Sequence, residues 1–338
     1  MRKGKKIKSP GSDSRLADIT CDASGAVLAD WMEIQALIAI DGGVSAAELE
    51  TTLKISGCAD SLADGTDADE SAEDGLFDAG EAASDRAFDE LTRRNDLYSE
   101  KVYPFELSGE HVQPKDWVLS SVYLFLRLLG DEKLLLAMNA DAVRKARKLF
   151  ESLAAVALSA YLGGKTNGVE SFVFGFPRRE RLPKTFKAAL NKLCLAMGEG
   201  HSCRSDAPLA SRAKDDGLDV VAWREFADRR CSKLIVFGQC ATGNDWKDKL
   251  SDMPAAKDWC GTWLCKAPFV EPARSFFVPV VIDEDHWEYS SRRSGILFDS
   301  VRIAVLAMAK DLSATELSGI RIFNQTAIAH IRKEGGAA

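Results

Sequence analysis

Two apolar runs stand one charged loop apart: Leu218-Asp219-Val220-Val221-Ala222-Trp223 and Leu234-Ile235-Val236-Phe237-Gly238-Gln239-Cys240. Runs this short, rich in β-branched and aromatic residues, read as neighbouring strands, and the charged stretch Arg224 to Lys233 fits a hairpin connection. The first strand follows a glycine turn and carries one acidic residue, Asp219. A period-two strand would point that side chain opposite to Leu218 and Val220. An acid in an apolar strand costs free energy unless a cation or hydrogen-bond donors satisfy it. The second strand ends on the amide of Gln239. Two strands that bring one oxygen-bearing side chain each to the same height suit a hard divalent cation, because Mg²⁺ takes one or two carboxylates plus other oxygens and waters. Such an ion is one way to build a phosphodiester-cleaving centre.

Bulk properties narrow the field. The chain has 338 residues, enough for two domains or one large one. No apolar run reaches the roughly 18 residues of a membrane span. The basic start, Met1 to Lys8, has no apolar region behind it and reads as a tail, not a secretory signal. Cysteines 21, 58, 194, 203, 231, 240, 260 and 265 are scattered without a CxxC pair, which argues for free thiols in a reducing cytoplasm. Cys194, His201 and Cys203 lack an obvious fourth ligand for zinc. The net charge of −7 speaks against a general nucleic-acid binder. Much of that charge lies between Asp60 and Glu90, and residues 60–83 are expected to be an acidic, solvated loop.

Helical spacing marks Ala26 to Ile40, and Ser45-Ala46-Ala47-Glu48 is a capping box opening a second helix. That helix carries Glu48 and Glu50 against only Lys54, so packing suits it better than reading DNA. Ser84 to Leu97, Trp117 to Leu129, Asp141 to Leu162, Pro183 to Met197 and Asn244 to Met253 are further expected helices. A short hairpin is expected over Val169 to Pro177, an irregular aromatic stretch over Trp259 to Cys265, and a buried strand over Ser275 to Val281. Ile296 to Lys310 starts strand-like and becomes helical. The fold class expected is α/β, a mixed sheet flanked by helices, with a mostly helical N-terminal domain over 1–139 and a second domain over 140–338 that carries an insertion at about 164–212.

Further residues complete the candidate site. Glu151 interrupts a helix face that is otherwise apolar or small, so it can point at a metal if that helix packs on the sheet. The main-chain carbonyl of Cys240 would be a ligand beside Gln239. A lysine that offsets charge on the phosphorane-like transition state is wanted two residues after Gln239, where Ala241 stands. Lys249, or else Lys247, could reach back from the following segment.

Phe150-Glu151, then Gly217-Leu218-Asp219, then Gln239-Cys240-Ala241 resemble the PD-(D/E)XK superfamily, closest to Mrr-type and phage-defence nucleases. The resemblance spans roughly residues 140 to 310. It implies a restriction-endonuclease-like fold and a Mg²⁺- or Mn²⁺-dependent DNA endonuclease. It carries the helical glutamate to Glu151, the metal aspartate to Asp219 and the second ligand to Gln239; the family's lysine does not carry over. It also implies a role in bacterial anti-phage defence beside an ATPase or sensor partner from the same operon. No membrane partner is expected from the apolar pattern, and an oligomer is allowed. The alternative is a catalytically inactive nuclease-fold subunit that binds nucleic acid or a partner ATPase.

Overall fold

The computed structural model describes residues 19–39, 42–63, 70–178, 182–207, 213–282, 284–308 and 312–334. They fall into two compact units, 1–118 with 325–338, and 119–324. The basic tail lies outside the described residues.

The first unit begins with α1 (Gly25–Ile38), where Ser24 Oγ accepts the Val27 N–H. β1 (Val44–Ser45) leads into α2 (Ala46–Ala63). The capping box forms as expected: Glu48 accepts from the Ser45 N–H at 2.7 Å, and Ser45 Oγ accepts from the Glu48 N–H at 3.3 Å. α3 (Glu70–Tyr98) follows, then β2 (Phe105–Ser108) and β3 (His111–Pro114); the antiparallel sheet order is β1-β3-β2. Most of the acidic stretch is therefore helical, where a loop was expected; residues 64–69 lie outside the described residues. Alanine and glutamate favour helix, and Ala83, Ala87, Leu91 and Arg94 recur on one buried stripe. Arg94 is buried, yet paired with Asp30, Glu33 and Glu90 at 2.9 to 3.0 Å. Tyr103 adds a hydrogen bond to Glu33.

The second unit begins with α4 (Val122–Leu129), α5 (Glu132–Ala137) and α6 (Ala140–Tyr161). It continues with β4 (Val169–Val173), α7 (Phe186–Met197), β5 (Val220–Arg224), β6 (Ile235–Cys240), α8 (Ala256–Trp263) and β7 (Ala273–Phe277). Last come α9 (Glu284–Ser294), β8 (Ile296–Phe298), α10 (Ser300–Met308) and α11 (Ala314–Glu334), within which the division between the units falls. Helices α4 and α5 thus belong with the sheet, although residues up to 139 were expected in the N-terminal domain. The cause is the apolar run Val122 to Leu129, which is buried against α6 and α10.

The five-stranded sheet has the order β4-β5-β6-β7-β8. β4, β5 and β6 are antiparallel, while β7 and β8 run parallel to β6. On one face, Phe186, Leu190 and Leu193 of α7 and Trp259 and Trp263 of α8 pack on Val221, Trp223, Ile235 and Phe237. α6 covers the other face beside α10; Tyr161 meets the edge of Phe298, whose ring stacks on Phe277 at 4.5 Å. A sheet covered on both faces explains why β5 and β6 are nearly continuous apolar runs. At the base of the β5–β6 hairpin, Lys233 is buried, with Nζ at 2.6 Å from Glu225 and 3.0 Å from the Met197 carbonyl.

Three local expectations change. Val169 to Pro177 makes only β4, not a hairpin: Phe174 and Gly175 donate their N–H groups to the Asp219 carbonyl, at 2.7 and 3.0 Å, and so stay beside β5. The stretch from Trp259 lies largely in α8, because Ala256, Trp259, Cys260 and Trp263 share one buried stripe. Asn244–Ser251 is a 3-10 helix that opens on Gly243 without a side-chain cap.

Candidate functional site

Asp219 is held by a local irregularity. Val220 faces Gly238 across the hairpin, and Asp219 donates its own N–H to that same Gly238 carbonyl at 2.9 Å. Two residues of one strand thus answer one of the next, as in a β-bulge, and a bulge re-aims a side chain. Asp219 consequently turns to the α6 face and does not alternate away from Val220. Its carboxylate accepts the Cys240 N–H at 2.7 Å.

Glu151 reaches the same place from α6. This helix begins on Asn139, whose side chain caps the Asp141 and Ala142 N–H groups, and it buries Phe150, Leu153 and Ala154 beside the sheet. Glu151 projects from the edge of that buried stripe. The two acids meet across Gly175: a methyl group there would stand 2.9 Å from Asp219 Oδ1 and 3.0 Å from Glu151 Oε2. Only a glycine leaves this space. Gly175→Ala is therefore expected to force the carboxylates apart and impair any ion held between them, leaving the far-ultraviolet circular dichroism unchanged; unaltered ion binding would contradict this placement.

The electrostatics follow from enclosure. Burial pushes Asp219 well above the usual carboxylate range, and the negative charges of Glu151 and Asp215 push the same way. The Cys240 N–H and the Arg178 guanidinium pull it down. The Cys240 thiol is also raised, by burial first and then by the two acids. Burial lowers Arg178, while Asp215, Asp219 and Glu151 favour its charged form. Arg178 ties the loop together, donating to the carbonyls of Phe174 and Lys214, with its guanidinium 4.2 Å from the Phe174 ring centroid. A half-buried Asp219 whose proton affinity is raised beside a second acid, Glu151, is a place where a divalent cation would relieve the cost of the charge.

The acids sit in a cleft of about 740 Å³ that Cys240 and Thr242 also line. Its wall carries Arg144, Arg147 and Lys148, which with Glu151 occupy positions i, i+3, i+4 and i+7 of α6, one stripe of the helix. Among the described residues, no three His, Cys, Asp or Glu side chains gather closely enough to hold a metal by themselves. The oxygen set is Glu151, Asp219 and a main-chain carbonyl: Ala241 donates its N–H to Phe277 of β7, so its neighbour Cys240 turns both N–H and carbonyl toward β5. Two hard carboxylates with waters suit Mg²⁺ or Mn²⁺.

The structure therefore brings Glu151, Asp219 and Cys240 together and leaves Gln239 out. Gln239 faces Phe276 of β7 and alternates with Cys240. The pleat thus puts its side chain with Ile235 and Phe237, on the α7–α8 face, opposite Glu151. The sharing of one ion by the side chains of Asp219 and Gln239 is corrected on this point. The reason is the bulge, which shifts the parity of β5 against β6. Gln239→Ala is expected to cost about 1 kcal/mol of stability and to leave ion binding at Asp219 unchanged. A titration in which binding disappears would put the amide back in the site.

Lys249 is paired with Asp245 at 2.9 Å, and Asp245 in turn feels the charge of Arg147, so Lys249 stands near the cleft wall. Lys247 lies over the Trp246 ring at 5.7 Å. Sequence reading missed Gly175, Arg178, Thr242 and the α6 cations. The i, i+3, i+4 spacing of Arg144, Arg147 and Lys148 ahead of Glu151 was the available signal. Compared with protein-family models, with curated proteins and with solved structures, the chain matches none. No helix among the described residues is long and apolar enough to cross a membrane.

Proposed function

We propose that this chain is a metal-dependent endonuclease that hydrolyses DNA phosphodiester bonds. The observation that carries the reading is the meeting of Glu151 and Asp219 across Gly175, at the base of a cleft whose wall bears Arg144, Arg147 and Lys148. The order of elements supports it. A helix with Phe150-Glu151, a strand entered through Gly217-Leu218-Asp219 and a neighbouring strand with Gln239-Cys240 follow one another in a mixed sheet, as the resemblance to the restriction-endonuclease-like fold requires.

A bound Mg²⁺ or Mn²⁺ would supply an activated water and polarise the scissile phosphate. The chain's own part is positional and electrostatic. Glu151, Asp219 and the Cys240 carbonyl fix the donor geometry. Arg147 and Lys148 face the phosphate and stabilise the charge that grows on its oxygens. The water oxygen bonds to phosphorus as the P–O bond to the leaving sugar breaks, and the water's proton ends on that leaving oxygen. The chain would act as an effector of anti-phage defence alongside an ATPase or sensor protein, a part that rests on the resemblance alone; a cytoplasmic setting rests on the scattered cysteines.

The test is conversion of supercoiled plasmid to nicked and linear forms by the full chain in Mg²⁺ or Mn²⁺, with EDTA and Glu151→Gln as controls. Metal-dependent cutting that the substitution abolishes supports the reading. Equal cutting by Glu151→Gln removes the site. A second reading, a nuclease-fold subunit that only binds nucleic acid or a partner, is favoured by Gln239 facing away and by Ala241 in the lysine position. It expects no uptake of Mn²⁺ by calorimetry even with DNA present.

A further inference from the structure

The α6 cations form only part of the cleft lining. Apolar side chains line it too: Leu135, Leu136 and Met138, at the end of α5, and Phe176. Two of these side chains are large, apolar and open to solvent, Leu136 at 79% and Phe176 at 44% relative exposure. The Phe176 backbone is held by its N–H, donated to Asp215 at 3.0 Å, and Lys214 Nζ lies 5.7 Å from the centroid of its ring. The stripe from Arg144 to Glu151 is seven residues, about 10 Å of helix at 1.5 Å per residue. It presents cations beside the carboxylates, not at a distance from them.

A phosphate backbone satisfies the cationic part of such a cleft in any nucleic acid. The apolar part discriminates. In a duplex the bases are stacked inside and the outer surface is sugar and phosphate, so an exposed phenyl ring next to the scissile position has nothing to receive. In a single strand each base offers a π-face to an aromatic side chain, and the backbone tracks a neighbouring basic row. Resting on the nuclease reading, we infer that the cleft takes single-stranded DNA: phosphates along Arg144, Arg147 and Lys148, a base against Phe176 and Leu136, and the scissile phosphate at Glu151 and Asp219.

The experiment uses the full chain and four fluorescent oligonucleotides: a single strand, the matching blunt duplex, the duplex with a single-stranded flap and the single strand as a ribo-oligonucleotide. Binding is read by anisotropy in EDTA, and cutting in Mn²⁺. The single strand and flap are expected to bind and be cut in preference to the duplex. Phe176→Ala is expected to weaken single-strand binding about tenfold with little change for the duplex. Leu136→Ser, at a position too exposed to disturb folding, gives a smaller loss in the same direction. Equal affinity for single strand and duplex, untouched by either substitution, overturns the inference while leaving metal-dependent cutting intact. Absence of cutting on every substrate counts against the nuclease reading alone, because the binding arm still decides the preference. Strand-selective binding to a ribo-oligonucleotide but not to the deoxy strand also overturns it.

Discussion

Asp219→Asn is expected to abolish cleavage and at the same time to stabilise the metal-free protein. Asparagine keeps an oxygen to accept the Cys240 N–H, so the shape of the site survives while its charge does not. On the proposed nuclease reading, loss of this carboxylate should lower the cleavage rate by about a hundredfold or more, the scale on which single electrostatic contributors to catalysis act. The stability gain follows from linkage. The folded-state proton affinity of Asp219 is raised above its ordinary value of 3.8. The native chain therefore binds more protons than the unfolded one, and stability falls as pH climbs from that value through the raised one. The substitution removes this fall. At neutral pH, in EDTA, the variant should melt a few degrees above wild type, since about 1 kcal/mol corresponds to roughly 2–4 °C in a unit of this size. Mn²⁺ should raise the melting temperature of wild type only, because a ligand that binds the native state stabilises it by mass action. A variant that melts lower than wild type in EDTA, or that still responds to Mn²⁺, would show that Asp219 is not the strained acid of the site.

Glu225→Ala carries the largest expected loss of stability. Lys233 is 1% exposed and its ammonium sits on Glu225 at 2.6 Å, with the Met197 carbonyl as its other partner. Removing the carboxylate leaves a buried cation with one neutral acceptor. Breaking such a pair from one side costs about 3–5 kcal/mol. Lys233→Met with Glu225→Gln, which removes the charge from both ends, should recover much of that loss. Chemical denaturation of wild type and the two variants reads the difference directly. A single substitution that costs no more than the double one would mean the ammonium finds water in the folded state.

The strands and helices that make the site were legible in the chain because burial on both sheet faces leaves a strong mark. β5 and β6 are unbroken apolar runs, and α6 has its buried stripe from Val143 to Leu158. Glu151 and Asp219 were legible for the same reason: each is an acid where the pattern calls for an apolar residue. Gln239 was misplaced because strand parity was counted from Asp219 as though β5 were regular, and a bulge leaves no trace in a single sequence. Gly175 and Arg178 were invisible, since they reach the site from a loop about forty residues before Asp219 and their role depends on closure against it. The acidic stretch misled in the opposite way. Its charge suggested solvent, whereas alanine at Ala83 and Ala87 was enough to seat α3.

The sheet has two characters. β5 and β6 are joined by one hairpin loop, whereas β4 meets β5 only across the long connection that carries α7, and β7 docks on β6 after the α8 crossover. Local pairings form fast and distant parallel ones slowly. Asp219 and Cys240 belong to that hairpin, while Glu151 and Gly175 reach them from α6 and from the loop after β4. The part of the candidate site on β5 and β6 should thus take shape first, and pulse-labelled hydrogen exchange would then show β5 and β6 amides protected before those of β7. The candidate site would then have one acid and its amide donor in place before the parallel half of the sheet is added.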